Sequence, residues 1–334
     1  MNVVVMRAGS WGSVLAGVLS QNGHDVSLIA PNQPLRDELV RFRENRRALP
    51  GVRIPDSVRI LASPEGVIES AEVVLFPGPC ERMREMARSV VGAGWKDRLV
   101  VSAAKGIEVE TLLRMSEVLA QELPDADPDR IVALSGPSFA RFVGLGQPTT
   151  VVAASRSEEA AHLAQKVFIT RTFRVYRSRD ILGVELGGAL KNVIALAAGM
   201  TDGLGFADNT RAALMTRGLA EIVRLGLAMG ARPETFAGLS GMGDLVLTCS
   251  GKESRNHYVG EQIGKGKRLA DVLREMVTVA EGVRTTKAAV ALAGRWNVEM
   301  PIAGEVHAVL FEGRRPEDAV ASLMMRDPKP EHWN

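Results

Sequence analysis

The sequence predicts an α/β domain built on a mostly parallel sheet, followed by a mainly helical domain. Three observations predict this. Short β-branched runs alternate with helical patterns as far as Tyr176. The opening segment joins a strand to a helix through a glycine turn. Longer apolar patterns of helical period take over after Asp180.

The opening elements come in the order strand, turn, helix, strand. Val3-Val4-Val5 is a β-branched strand, residues 11–22 fit a helix with Gly23 at its C-cap, and residues 26–29 form a second strand. Residues 36–47 are charged and read as a helix closed by Leu49-Pro50-Gly51. Strands are expected at 73–76, 99–102, 131–134, 149–154 and 173–176, and helices at 81–91 and 111–123. This alternation implies a sheet covered on both faces. In the second half, residues 212–229 place Leu214, Met215, Leu219, Ile222, Val223 and Leu227 at helical spacing, with Gly230 as the stop. Residues 268–276 and 285–293 read as helices, and Pro301 and Pro316 each open another. Residues 245–247 carry the one strand signal of this half. The boundary is expected between Tyr176 and Leu186, giving domains of residues 1–180 and 181–334.

The chain has 334 residues, 46% of them hydrophobic, enough for two domains and a sizeable core. Lys and Arg number 41 against 39 Asp and Glu, for a net charge of +2. No nucleic-acid partner is expected from so balanced a charge, whereas a small anion needs only a local cluster. The start MNVVVMRAGS reads as a strand, not as the basic start and longer apolar run of a signal peptide. Residues 186–200 are the most apolar later stretch. Lys191 and Asn192 interrupt them, so the stretch is expected to fall short of a membrane span, with no stable membrane insertion. Cys80 and Cys249 make neither a disulfide framework nor a zinc site; no metal is expected, and two free thiols fit a reducing cytoplasm.

A dinucleotide fingerprint, Gly-x-Gly-x-x-Gly, uses its glycines for the turn, for backbone approach to a pyrophosphate and for close helix packing. Here the segment is Arg7-Ala8-Gly9-Ser10-Trp11-Gly12, with arginine at the first position. Arginine adopts a left-handed turn less readily than glycine, so a shifted turn or about 1 kcal/mol or more of strain is expected. Its side chain either pairs with the pyrophosphate or lies across the site. After the second strand, Ala30-Pro31-Asn32-Gln33-Pro34-Leu35-Arg36 offers no acid for the ribose of NAD. Arg36 is either a solvated helix residue or a partner for the 2′-phosphate of NADP.

Three loops after strands carry polar residues: Pro79-Cys80, Lys105-Gly106 and Ser135-Gly136-Pro137-Ser138. In a parallel sheet such loops share the carboxyl edge where ligands bind, and a lysine there holds an anion or donates a proton. Lys191 has mostly apolar neighbours, so it snorkels, pairs or faces a cleft. Asp244, between glycines in GMGD, is a turn or cap residue or a site residue. Ser254-Arg255-Asn256 supplies a hydroxyl, a guanidinium fork and an amide. That is a phosphate-binding set or an ordinary helix start.

Across nearly its whole length the chain resembles the bacterial type of NAD(P)-dependent glycerol-3-phosphate dehydrogenase. The segments that carry the resemblance are AGSWGSVLA, SAAKGIE, LSGPSFA, GVELGGALKNVIALAAGMTDGLGFADNTRAALMTRGLAE, GLSGMGDLVLTCSGKESRN and VAEGVRT. It implies a Rossmann-like N-terminal domain and an all-helical C-terminal domain. It implies a cytoplasmic enzyme, expected as a homodimer, that interconverts sn-glycerol 3-phosphate and dihydroxyacetone phosphate with NAD or NADP and feeds phospholipid synthesis. It assigns Lys191 as general acid/base, with Lys105 and Asp244 beside it. Lys105, Gly136, Ser138, Asp244, Ser254, Arg255 and Asn256 match substrate positions. Gly9, Ser10, Trp11, Gly12, Lys105, Ala140, Arg255, Val279 and Glu281 match cofactor positions.

The chain departs from the family pattern at Arg7, at Phe76-Pro77-Gly78-Pro79-Cys80, and at Ala30-Pro31, where an arginine is common. It departs again at Arg141 in place of an acid and at Ala207 in place of a glycine. Two other readings stay open: a related dehydrogenase with a carboxylate substrate, and a nucleotide-sensing homologue with weakened turnover.

Overall fold

The computed structural model describes residues 1–276, 278–328 and 330–331. Among them one sheet is formed by β1 (Asn2–Val5), β2 (Asp25–Ile29), β3 (Arg59–Leu61), β4 (Val73–Phe76), β5 (Leu99–Ser102), β6 (Ile131–Ser135), β7 (Thr149–Ala154) and β8 (Phe173–Ser178). The spatial order is β3-β2-β1-β4-β5-β6-β7-β8. Neighbours pair in parallel except β6 with β7, which are antiparallel. The sheet is flanked by α1 (Ser10–Gln21), α2 (Gln33–Phe42), α3 (Met83–Arg88), α4 (Met115–Glu122), α5 (Ala140–Gly144) and α6 (Glu158–Phe168).

Both faces of the sheet are covered. Val3 and Val5 of β1 pack with Leu15, Leu28 and Val101 on one side, while Val4 and Met6 pack with Phe76, Trp95 and Leu119 on the other. Alternate residues of one strand thus enter opposite cores, and the strands read as continuous apolar runs for that reason. Chain order reverses between β1 and β4, which opens a crevice at their carboxyl ends.

After β8 come α7 (Ile181–Gly203), α8 (Asp208–Ala228), α9 (Pro233–Ala237), a π-helical turn (Leu239–Gly243), α10 (Asp244–Ser250), α11 (Arg255–Gly264), α12 (Leu269–Glu275), α13 (Glu281–Arg295), α14 (Pro301–Phe311) and α15 (Pro316–Met324). Helix α7 is the axis of this half. Its residues from Val184 to Leu196 are buried without interruption, and Leu190, Ile194 and Ala198 share a core with Leu225, Phe236 and Val259. Helix α11 lies directly on it: a Cβ at Gly199 would collide with the His257 carbonyl, and one at Gly260 with the Leu196 carbonyl.

Three expectations are corrected. Residues 245–247 are helical; Asp244, Leu245, Thr248 and Cys249 are buried while Val246 is exposed, a helical spacing that a three-residue apolar run conceals. The apolar stretch at 186–200 belongs to a 23-residue helix that by length and composition is able to cross a membrane, with 94% of its most apolar window buried inside the protein. Its ends extend past the run read from the sequence, so the interrupting Lys191 does not shorten it. Of the two outcomes expected at Arg7, a shifted turn or strain, the left-handed strain is absent: among the described residues, positive φ outside glycine occurs at Arg43, Leu112 and Asn297.

A buried ion pair fastens α7 to the sheet-bearing half. Arg114, just before α4, approaches the Glu185 carboxylate at 2.6 Å, and Ser116 donates to the same carboxylate from its backbone N (2.8 Å) and its Oγ (2.6 Å). Replacing Glu185 by Ala leaves the guanidinium buried without this partner, and the expected loss is about 3–5 kcal/mol of stability. Urea unfolding followed by circular dichroism checks it; an unchanged midpoint overturns the assignment.

Candidate active site

The site forms where the carboxyl ends of β1, β4, β5 and β6 meet α7, α10, α11 and α13. At the nucleotide end, α1 starts at Ser10 with Gly9 as its N-cap and no side chain capping it, so the N–H groups of its first turn are free of a side-chain partner. No atom lies within 4 Å of where a Cβ on Gly9 would stand. A Cβ on Gly12 would meet the Arg7 carbonyl and Pro77. The open second glycine and the crowded third glycine fit a bound pyrophosphate and close helix packing. Ser10 Oγ donates to the Ala48 carbonyl at 2.9 Å. Trp11 packs against the core with its ring 6.5 Å from that of Phe173. Ala140 opens α5 and packs on the same core.

The chemistry end is a cluster of three charges. Lys191 Nζ donates to Asp244 Oδ1 and to Thr248 Oγ1, each at 2.6 Å. Lys105 Nζ donates to Asp244 Oδ2 at 2.7 Å and to the Gly136 carbonyl at 2.7 Å. One buried carboxylate therefore holds two ammonium groups, one from the loop after β5 and one from α7. Burial pulls the Lys191 ammonium down to about 8; Asp244 opposes that fall and the Lys105 charge adds to it.

The backbone explains how these side chains meet. A Cβ on Gly187 would stand 2.6 Å from the Ser240 carbonyl, so this glycine admits the π-helical turn that delivers Asp244 onto α7. Lys191 lies one turn along from Gly187, on the same face. Gly136 holds a φ of +142 with Val151 Cα 2.9 Å from its would-be Cβ, which makes the loop after β6 tight enough for its carbonyl to meet Lys105. Ser138 Oγ donates to that carbonyl at 2.9 Å and stands 3.5 Å from Lys105 Nζ.

The Ser254-Arg255-Asn256 trio divides in three. Ser254 caps α11, its Oγ accepting from the His257 N–H at 3.2 Å. Asn256 donates to Asn192 Oδ1 and accepts from the Gly282 N–H, both at 2.9 Å. Arg255 alone of the three keeps surface exposed to solvent; the crowding of protein around its guanidinium lowers its pKa, and the Glu281 charge opposes that fall. Val279 is 40% exposed just before α13, and Glu281 is the first residue of that helix. Glu281 Oε2 accepts from Cys80 Sγ at 3.1 Å, across the two halves of the chain. Burial pushes both the thiol and the carboxyl upward. A cavity of about 380 Å³ lies there, lined by Cys80, Ile107, Val279, Glu281, Arg284 and Thr285. Burial also pushes the Cys249 thiol up to about 12, which makes it inert.

Two polar residues missed in the sequence complete the cluster. Thr248, four residues after Asp244 on α10, is the second acceptor for Lys191. Asn192 donates to the Lys105 carbonyl at 3.0 Å and so joins α7, α11 and the loop after β5. The i,i+4 spacing of Asp244 and Thr248 was the available signal, hidden by reading 245–247 as a strand.

A glycine turn opening a helix at the reversal point of a parallel sheet, faced by a buried lysine cluster from a helical half, defines a two-domain nucleotide-dependent dehydrogenase. Comparison with known proteins narrows the class. The model of the NAD-dependent glycerol-3-phosphate dehydrogenase N-terminus matches residues 2–161, and that of the C-terminus matches residues 180–321. The chain is 50% identical to the glycerol-3-phosphate dehydrogenase [NAD(P)+] of Prosthecochloris aestuarii, over 99% of this chain and 100% of that one. It is 49% identical to that of Bacillus subtilis, over 97% and 94%. The crystal structure of glycerol-3-phosphate dehydrogenase from Coxiella burnetii superposes with a TM-score of 0.92 at 33% identity, covering 97% of this chain and 98% of that one. The chain belongs to the NAD-dependent glycerol-3-phosphate dehydrogenase family.

Asp244→Asn removes the charge that holds Lys191 protonated. The Lys191 pKa is expected to fall below its present value of about 8. Carbon-13 NMR of the lysine ε-carbons across a pH titration reads this directly; an unchanged or higher value rules it out.

Proposed function

We propose that the protein interconverts sn-glycerol 3-phosphate and dihydroxyacetone phosphate with a nicotinamide cofactor, using Lys191 as the general acid and base. The observation that carries this reading is the Lys105–Asp244–Lys191 cluster, in which one carboxylate receives two lysine side chains at 2.7 and 2.6 Å. Hydride transfer is the chemistry that a bound nicotinamide supplies. The open backbone at Gly9 and the uncapped first turn of α1 would hold its pyrophosphate.

In the reducing direction, charge develops on the carbonyl oxygen of the substrate. The Lys191 ammonium stabilises that oxygen and gives it a proton. Asp244 and Thr248 fix the position of Nζ, so no reorganisation is needed when charge appears. Lys105, held by Asp244 and the Gly136 carbonyl, adds a second cation that favours an anionic substrate. In the oxidising direction a neutral Lys191 takes the proton from the secondary hydroxyl. Arg255, exposed at the start of α11, holds the phosphate, whose binding orients the three-carbon body without reacting. Ser254 and Asn256 support it by shaping the N-terminal turn of α11.

The same reading divides the chain into a cofactor domain of residues 1–180 and a substrate domain of residues 181–334. It includes a homodimer, a cytoplasmic location and supply of glycerol 3-phosphate to phospholipid synthesis; these rest on the family resemblance. A carboxylate substrate is disfavoured by the full-length identity to relatives named glycerol-3-phosphate dehydrogenase, and a sensor without turnover by the intact lysine cluster.

Oxidation of NADH and NADPH by dihydroxyacetone phosphate, followed in a spectrophotometer, tests the reaction; absence of turnover with both cofactors overturns it. Lys191→Ala is expected to lower kcat by at least about a hundredfold, the scale of a lost general acid. In the unmodified protein, kcat/KM for reduction should decline above pH about 8, because the reaction needs protonated Lys191, while kcat/KM for oxidation should climb toward the same pH. A near-normal kcat in the variant, or parallel pH profiles in both directions, removes Lys191 from this role.

Arg255→Ala is expected to weaken kcat/KM for dihydroxyacetone phosphate by about tenfold or more, the scale of a lost charge-assisted phosphate contact, and to leave dihydroxyacetone little changed. Equal losses on the two substrates argue against a phosphate clamp.

A further inference from the structure

We infer that Arg284 is a positioning residue that clasps the first turn of α13 to the loops after β4 and β5, holding shut the mouth of the cleft between the two halves. The inference rests on the proposed dehydrogenase reading only for the ligand retained there, a nicotinamide dinucleotide. The clasp itself stands on geometry.

Among the described residues, ion pairs cross between the sheet-bearing and helical halves in three places. Lys105 with Asp244 and Arg114 with Glu185 are two of them, and both carboxylates are buried. Arg284 makes the third. Its Nη1 stands 3.0 Å from Glu81 Oε2, in the 3₁₀ turn Cys80–Arg82 after β4. Its Nη2 stands 3.4 Å from Glu110 Oε1, in the loop after β5. One planar fork thus joins α13 to segments 203 and 174 residues away along the chain.

The three places differ in what opening them costs. Separating either buried pair strands a charge away from water. The Arg284 side chain is 50% exposed, and those of Glu81 and Glu110 are 29% and 68% exposed, so these charges exchange one another for water at little cost. Movement between the halves therefore opens at Arg284, with the buried pairs as the fixed side. Neighbouring charges do not bridge the mouth. Glu108 receives Arg84 at 2.6 and 2.7 Å, and Arg82 pairs with Glu85 at 2.6 Å, all within the sheet-bearing half.

Beneath the clasp lie groups that the dehydrogenase reading gives to the cofactor. Glu281, one turn before Arg284, accepts from Cys80 Sγ. A Cβ on Gly106 would stand 2.6 Å from Cys80 Sγ and 2.8 Å from Glu281 Oε2, so the first turn of α13 is seated on the residue that follows Lys105. The cavity of about 380 Å³ is lined by Arg284, Glu81 and Glu110 as well as by Val279 and Glu281. An exposed clasp across this cavity admits a ligand when open and retains it when closed. Such a pair adds little to folding stability, but a several-fold bias between open and closed forms shifts ligand affinity by a similar factor.

The clasp is tested on the full-length protein by hydrogen exchange without ligand and by NADH binding, followed through NADH fluorescence. Arg284→Ala is expected to speed exchange about threefold or more in residues 106–113 of the other half as well as in residues 280–287, with α2 unchanged. It is expected to weaken NADH binding about threefold or more and to leave the thermal midpoint within about 2 °C. Glu81→Arg alone should act the same way. Glu81→Arg combined with Arg284→Glu should bring exchange and NADH affinity back to within about twofold of the unmodified protein, which a packing defect at either residue would not do. Unchanged exchange at 106–113 in Arg284→Ala, or no recovery in the exchanged pair, overturns the inference. If the unmodified protein binds no NADH, the dehydrogenase reading falls, and the exchange measurement alone decides the clasp.

Discussion

The site depends on a single buried carboxylate, Asp244, that must face two ammonium groups at once. A charge this deeply buried is costly unless it is paired and hydrogen-bonded. Here both oxygens are used, one for Lys191 and one for Lys105. The arrangement holds only if α7, α10 and the loop after β5 stay within hydrogen-bonding reach of one another. Much of the surrounding packing serves that demand: the glycine contact of α7 with the π-helical turn, the Asn192 bond to the Lys105 carbonyl, and the Arg114–Glu185 pair.

The cluster also reconciles two opposed requirements for a proton donor. The ammonium must be charged to assist a developing oxyanion, and its proton must not be held too firmly to be given away. Burial alone would discharge Lys191, while a neighbouring carboxylate alone would bind its proton tightly. The two effects, with Lys105 on the side of discharge, leave it titrating near the pH at which both directions of a reversible redox step can run. Closing the two halves around a ligand is consistent with this design, because the reacting groups come from both.

The adenosine end shows how a fold tolerates departures from its own pattern. Arginine replaces the first fingerprint glycine, and the chain passes through this position without a left-handed residue. The requirements that remain are the open backbone at Gly9 and the tight contact at Gly12, and both glycines are present. At the end of β2 the Arg36 side chain from α2 donates to the Ala30 carbonyl at 3.1 Å.

The alternation of buried strands and helices, the glycine turn and the helical second half were legible in the sequence, because each leaves a local period or a turn residue. Lys191, Lys105 and Asp244 were legible as residues, through the family resemblance. Short elements were not: β3 has three residues at an edge, and α10 presents a run of three apolar residues whose helical burial emerges only when neighbours are in place. The parts of the cluster that local sequence could not reveal were those made by distant segments. Lys105 and Asp244 are 139 residues apart, and Cys80 and Glu281 are 201 apart. Sequence determined which chemical groups exist and which periodic faces they lie on; only the tertiary structure decided which charges meet, since that depends on how closely whole helices approach and not on any neighbour along the chain.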